Sequence, residues 1–223
     1  MKVNNSFYEN IVKRFFDIIL CSFALVVLSP LFLFTAVAIK VSSPGPIFYH
    51  SDRTTKGHKP FHFYKFRSMH VTNTDKGMFI ADTDRLFKVG KIIRRLKIDE
   101  LPQLINVIKG DMSIVGPRPM PYETVDSIYC GKYQKILTVR PGLTSAASLF
   151  DYTVGDAYLD NDLYIKEVLP YKLRMEMLYV EKESLCYDIS LIWRTIVTII
   201  AVFTKRKKLP QQWEYDFIKD KSK

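Results

Sequence analysis

The sequence predicts a mainly α-helical protein with one small β-hairpin. A membrane-embedded helix broken at its centre, several interfacial amphipathic helices and a cytoplasmic globular domain make up the expected architecture. Three observations lead there. The 22 residues from Ile18 to Ile39 carry no charge. Two short aromatic runs flank a polar turn at residues 56–60. Further along, apolar residues recur at helical spacing, and neither alternating strand–helix units nor a GxGxxG segment supports a doubly wound sheet.

Composition sets the outer limits. Of 223 residues, 33 are Lys or Arg and 23 are Asp or Glu, a net charge of +10; 48% are apolar, with 15 Phe and 13 Tyr. That size supports one domain with a proper core, and that apolar content excludes a disordered chain. Cys21, Cys130 and Cys186 lack CxxC spacing and an even count, which argues against a disulfide framework or a thiolate zinc site. The charge is unevenly spread. Residues 40–98 hold 13 basic and four acidic side chains, whereas residues 99–223 hold 17 of each. Such a segment suits a phosphorylated small molecule, an anionic membrane surface or nucleic acid, or is simply a solvated basic face.

Three segments follow. Residues 1–43 form the anchor, residues 44–204 the globular domain and residues 205–223 a basic tail. The uncharged run is long enough to span a bilayer and too long for a signal-peptide core. Ser29-Pro30 lies near its middle, leaving 11 residues before and nine after. Each half is about 14–16 Å long, half the hydrocarbon thickness. Proline removes one helical hydrogen bond, and the Ser29 hydroxyl can reach a freed carbonyl. Both flanks are basic, at Lys13-Arg14 and from Lys40 onward, which places both ends on the cytoplasmic side. A re-entrant helix–break–helix satisfies all three features; a kinked spanning helix is the alternative.

Ser43-Pro44-Gly45-Pro46 then marks a turn. Residues 47–50 and 61–66 read as a hairpin. Residues 85–97 place Leu86, Val89, Ile92, Ile93 and Leu96 on one helical face. A second helix is expected over 101–109, with Asp99 as its cap and Gly110 at its end. Residues 151–165 read as an acidic, Tyr-rich loop, and residues 169–180 and 188–203 as helices. The last contains Trp193 and leads into Lys205-Arg206-Lys207-Lys208, so it is either interfacial on an anionic membrane or a core helix with a soluble tail.

Chemistry concentrates at Asp99-Glu100. A carboxylate can attack phosphorus and form an acyl phosphate, dividing one displacement into two easier ones. Arg94 and Arg95 lie one helical turn upstream and could neutralise phosphate oxygens. A divalent ion such as Mg²⁺ would bridge carboxylate and phosphates at a pyrophosphate centre. Lys65-Phe66-Arg67 in a strand would present both cations on one face, and Gly116-Pro117-Arg118-Pro119 positions one guanidinium. Each signal alone is also what a cap, an exposed strand face or a turn shows.

Together and in this order, they make the chain resemble the monotopic phosphoglycosyl transferases among the bacterial sugar transferases, in their minimal form. The resemblance rests on Lys13-Arg14-Phe15-Phe16-Asp17, Ser29-Pro30, residues 44–48, Lys65 to Met69, Val89-Gly90, the long block from Ile98 to Pro119, residues 140–144, and Tyr179-Val180, Ser184-Leu185 and Asp188-Ile189. It implies transfer of a sugar 1-phosphate from a UDP-sugar to undecaprenyl phosphate with release of UMP, the membrane-committed step of a surface glycan. It further implies Asp99 as nucleophile and Mg²⁺ site, Glu100 beside it, and Lys65, Arg94 and Arg118 as phosphate-handling cations, with Arg67 in the same basic strand. Ser29-Pro30 becomes the break of a re-entrant helix, and the bacterial inner membrane the location, with catalysis on its cytoplasmic face. Two positions depart from the family pattern, Thr55 and His58, as does the segment 145–150, which puts the identity of the sugar in question. No nucleic-acid partner is expected, since no nucleic-acid module pattern is present. A catalytically silent anchor in a glycan-assembly complex is the rival reading, and the oligomeric state is left open.

Overall fold

The computed structural model describes residues 7–71, 85–151, 160–204 and 213–220. Its first element, α1 (Tyr8–Ser42), begins with a π-helical turn at Tyr8–Val12. The chain stays helical through Ser29 and Pro30, so the expected interruption is not a non-helical segment. It is confined to the bond proline cannot donate. Val26 O, which Pro30 leaves without its usual partner, accepts from Ser29 Oγ at 2.8 Å.

A stripe at three- and four-residue spacing runs the length of α1. Lys13, Asp17, Cys21, Thr35 and Ile39 are buried, and Ala24, Leu25, Leu28, Phe32 and Ala36 are partly buried against the domain. The opposite side exposes Phe15, Phe16, Phe23, Val26, Leu33, Phe34 and Val37. The basic flank is absorbed into the fold. Lys13 pairs with Asp188 at 2.6 Å and Glu183 at 3.4 Å. Arg14 donates to the Val107 and Ile108 carbonyls, at the C-terminal end of a following helix.

The hairpin forms as expected. Strands β1 (Phe48–Thr55) and β2 (Lys59–Phe66) pair antiparallel, with Thr55 opposite Lys59. Three residues connect them, Lys56, Gly57 and His58, and the last two have positive φ, +75° and +59°. Helix α2 (Lys88–Arg95) follows, packed so tightly on Ser68 that a Cβ at Gly90 would lie 2.0 Å from the Ser68 carbonyl oxygen. A 3-10 turn at Ile98–Glu100 leads to α3 (Gln103–Lys109), which Gly110 ends at φ +97°. Asp99 therefore sits in the 3-10 turn. The expectation that it caps the second helix is corrected: Pro102 holds that position, and no side chain caps there.

The chain continues through β3 (Ser113–Val115), the short α4 (Val125–Ile128), a 3-10 stretch at Gly131–Thr138, β4 (Gly142–Thr144) and α5 (Ala146–Asp151). β3 and β4 pair in parallel, a second two-stranded sheet that the sequence did not announce. Of the loop expected at 151–165, residues 152–159 lie outside the described residues. Residues from Asn161 onward are helical, because Asp160 accepts from the Asp162 and Leu163 N–H groups and starts α6 (Asn161–Glu167). Then come α7 (Leu169–Lys182) and α8 (Leu185–Phe203). α8 buries Tyr187, Asp188, Leu191, Arg194, Thr198 and Ala201, and exposes Ile189, Trp193, Ile196, Ile200 and Phe203. The run Lys205–Lys208 falls outside the described residues. Within the expected basic tail, Trp213–Asp220 forms α9, whose Ile218 joins the central core with Phe150, Met175, Tyr179 and Leu191.

Candidate active site

Asp99 and Glu100 stand at the junction of the hairpin, α2 and α3. Lys97, in the left-handed region at φ +55°, turns the chain sharply out of α2 and into the 3-10 turn that carries Asp99 and Glu100; a non-glycine residue there is strained, as residues at functional sites often are. Both carboxylates end up buried, Asp99 completely. Alternation along β2 aims Lys65 the same way as the buried Phe61 and Phe63. Asn106, itself inaccessible, holds that strand to α3 by accepting from Tyr64 N–H at 3.1 Å and donating to His62 O at 2.7 Å.

The result is a compact ionic cluster. Lys65 Nζ lies 2.8 Å from Asp99 Oδ2 and 3.5 Å from Glu100 Oε1. Arg118 Nη2 lies 3.4 Å and Lys97 Nζ 4.0 Å from the same Glu100 oxygen. Burial by itself would raise the Glu100 carboxyl, but Lys97, Lys65 and Arg118 outweigh it and hold Glu100 well below the usual carboxylate range. Among the described residues, Asp99 Oδ1 is buried without a hydrogen-bond partner. An ionised oxygen in that condition is costly unless something else binds it.

The fold thus brings Lys65, Asp99, Glu100 and Arg118 together. It does not bring in Arg67. β2 ends at Phe66, and Arg67 turns to the end of α1, donating to Ser43 O at 2.7 Å, Ser43 Oγ at 3.2 Å and Pro44 O at 2.8 Å. Nor is Arg94 joined to the dyad: half-buried on α2, it forms no ion pair with Asp99 or Glu100.

Comparison with known proteins places this arrangement. Residues 8–202 match the model of the family described as bacterial sugar transferase. The chain belongs to that family. It is 40% identical over 201 residues to the UDP-N-acetylgalactosamine-undecaprenyl-phosphate N-acetylgalactosaminephosphotransferase of Aeromonas hydrophila, covering 87% of this chain and 45% of that one. The UDP-glucose:undecaprenyl-phosphate glucose-1-phosphate transferase of Caulobacter vibrioides is 33% identical, across 85% of this chain and 70% of its own. The exopolysaccharide production protein PSS of Rhizobium leguminosarum bv. phaseoli is 34% identical, across 84% and 94%. The chain therefore spans less than half of the Aeromonas relative and nearly all of the Rhizobium one.

Two features of this family member were not read from its sequence as parts of the site. Glu176 on α7 accepts from the Arg118 backbone N–H at 3.1 Å and from Ser145 Oγ at 3.2 Å. Burial pushes its carboxyl up to about 7, against the pull of those donors and of Lys172. It ties the segment after Thr144, where this chain departs from the family pattern, to the backbone of Arg118. The second is Arg53, whose guanidinium lies over the Phe63 ring at 5.3 Å and beside the 118–121 segment. Arg53 sits among Ser51, Asp52, Thr54 and Thr55 in the polar half of β1 and gave no signal of its own.

The donor set fits Mg²⁺. Among the described residues no group of three or more His, Cys, Asp or Glu side chains could hold a metal. Mg²⁺ rarely requires one, since it binds through one or two carboxylates and completes its shell with water and substrate phosphates. The unpartnered Asp99 Oδ1 is an oxygen of the right kind.

Proposed function

We propose that this membrane-associated chain is a phosphoglycosyl transferase that moves a sugar 1-phosphate from a UDP-sugar to undecaprenyl phosphate and releases UMP, at the start of a surface glycan. The buried Asp99 carboxylate, with one oxygen on Lys65 and the other unpartnered, is the observation that supports this reading most strongly. Oδ1 attacks the sugar-bearing phosphorus. The bond from that phosphorus to the bridging oxygen breaks, and its electron pair leaves with UMP. A phosphate oxygen of the acceptor then attacks the aspartyl phosphosugar, and the electrons of the phosphorus–Asp99 bond return to the carboxylate. No proton need be abstracted in either half. Asp99 is fully covered in this structure, so the donor must open a path to Oδ1 as it binds.

Lys65 and Arg118 hold phosphate oxygens and offset their charge. Glu100, kept ionised by three cations, orients Lys65 and Arg118. Asp99 would hold Mg²⁺, which supplies Lewis-acid neutralisation of the diphosphate. Arg94 is reached from the solvent side and acts, on this reading, only if the donor extends past α2.

The proposed setting is the inner membrane, with α1 re-entrant and the domain on the cytoplasmic face. What supports it is that both ends of α1 are tied to the same domain. Lys13 bonds Asp188 near one end and Ser43 accepts from Arg67 at the other, while the outward face between Phe15 and Ile39 carries no exposed charge. A straight crossing would separate those ends by the bilayer. The exposed stripe of α8 with Trp193 suits the same interface.

The test is UMP release from a panel of UDP-sugars with undecaprenyl phosphate, with and without Mg²⁺, in detergent. Release from one donor, dependent on acceptor and metal, is expected. Turnover that survives in Asp99→Asn would defeat the mechanism, and silence with every donor would favour the scaffold alternative.

A further inference from the structure

Arg53 is held against residues 119–122, which follow Arg118, by the backbone itself. Thr54 N–H donates to Met120 O at 2.9 Å, Tyr122 N–H donates to Asp52 O at 3.2 Å, and Arg53 pairs with Pro121 as an antiparallel bridge. Its own polar contacts are few and long. Nη1 reaches Pro119 O at 3.3 Å and Nε reaches Ser51 Oγ at 3.3 Å. Its guanidinium forms no ion pair with any carboxylate among the described residues, and Nη2 donates to none of them. Burial, and then the positive charge of Arg118, lower its pKa to about 10; Tyr49 and Glu100 oppose them.

A half-buried guanidinium set against another guanidinium is unfavourable by itself. Glu100 offsets this only in part, since it is engaged by Lys65, Lys97 and Arg118. The planar fork over Phe63 keeps its free edge fixed, the geometry that suits two oxygens of one phosphate. We propose that Arg53 is a further substrate-binding residue, which with Arg118 grips the phosphate oxygens of a substrate in the reaction assigned above. The inference rests on that assignment. Two sources carry the same chemistry, the diphosphate of the donor and the phosphomonoester of the acceptor.

Arg53→Gln and Arg53→Lys, purified in detergent, test it. KM would be measured for UDP-sugar and for undecaprenyl phosphate separately, with inhibition by inorganic pyrophosphate and thermal melting alongside. Arg53→Gln is expected to raise one KM about 10- to 100-fold, as loss of a charged hydrogen bond should, and to weaken pyrophosphate inhibition by a similar factor. kcat should change far less, and Arg53→Lys should recover part of the loss. A rise for the donor alone identifies the diphosphate; a rise for the acceptor alone identifies the phosphomonoester. Unchanged KM values and unchanged pyrophosphate inhibition, with a lowered melting temperature, would show a purely structural role and overturn the proposal. If Arg53→Gln does not fold, Arg53→Lys decides: weakened pyrophosphate inhibition supports the proposal and wild-type inhibition overturns it. If the wild-type protein turns over no donor, the assigned reaction has failed; calorimetric binding of pyrophosphate to wild type and Arg53→Lys then judges Arg53 by itself.

Discussion

Two buried ionic clusters in this molecule are built on opposite plans. Between α8 and α9, Arg194 donates to both oxygens of Glu214, at 2.7 and 2.8 Å, and Tyr187 OH adds a third bond at 3.0 Å. One charge meets one charge, and the carboxylate is satisfied. Around Asp99 and Glu100, the described residues set Lys65, Lys97, Arg118 and Arg53 near two carboxylates, one of which keeps an unpartnered oxygen. The balanced cluster fastens a helix. On the function proposed above, the unbalanced one receives an anionic substrate.

The largest expected effect breaks the second cluster. Asp99→Asn should lower UMP release by at least ~10³-fold, as removal of a nucleophile does, with the melting temperature nearly unchanged. Assay and melt on the same sample check this. The first cluster should behave the other way. Glu214→Ala leaves Arg194 buried without its counter-ion, and about 3–5 kcal/mol of stability should be lost. Arg194→Met combined with Glu214→Leu should restore much of it, read by denaturant unfolding. If single and double variants were equally unstable, the pair would not be the feature that holds α9.

Glu176 separates the two plans by pH. Its carboxyl is raised in the folded protein, so its contribution is fully present below the ordinary carboxylate range near 4.5 and is lost as pH rises through about 7. The wild-type protein should lose on the order of 3 kcal/mol from this source across that window. Glu176→Gln should lack that slope when melting is followed from pH 4.5 to 7.5. The smallest effect concerns α1: Ser29→Ala removes the bond to Val26 O and should cost about 1 kcal/mol, seen as a small drop in melting temperature.

What could be read in the sequence follows from the range of each signal. The uncharged run of α1, the hairpin and the helix around Ile93 are local patterns and formed, although that helix is confined to Lys88–Arg95 and leaves Ile92 exposed. Arg67 was misplaced because strand alternation was carried one residue beyond the end of β2. β3 and β4 pair through three residues each from chain segments nearly 30 positions apart, and no local pattern encodes that. α9 is short and mixed in polarity, and it docks through Arg194, whose partner lies 20 residues away in the chain. In the site, the Asp99–Pro119 block pointed to the dyad and Arg118, but Arg53 depends on β1 meeting residues 118–122 in space. Asp99 as a cap failed because Lys97 takes a left-handed conformation that no propensity favours.

The most direct test of the account uses the donor alone. Protein incubated with its UDP-sugar and Mg²⁺, without undecaprenyl phosphate, should gain the mass of one phosphosugar at Asp99 and release UMP in equal amount. Adding acceptor should remove that mass. An unmodified protein that nonetheless turns over with both substrates present would contradict the aspartyl intermediate and leave the unpartnered oxygen of Asp99 without its assigned role.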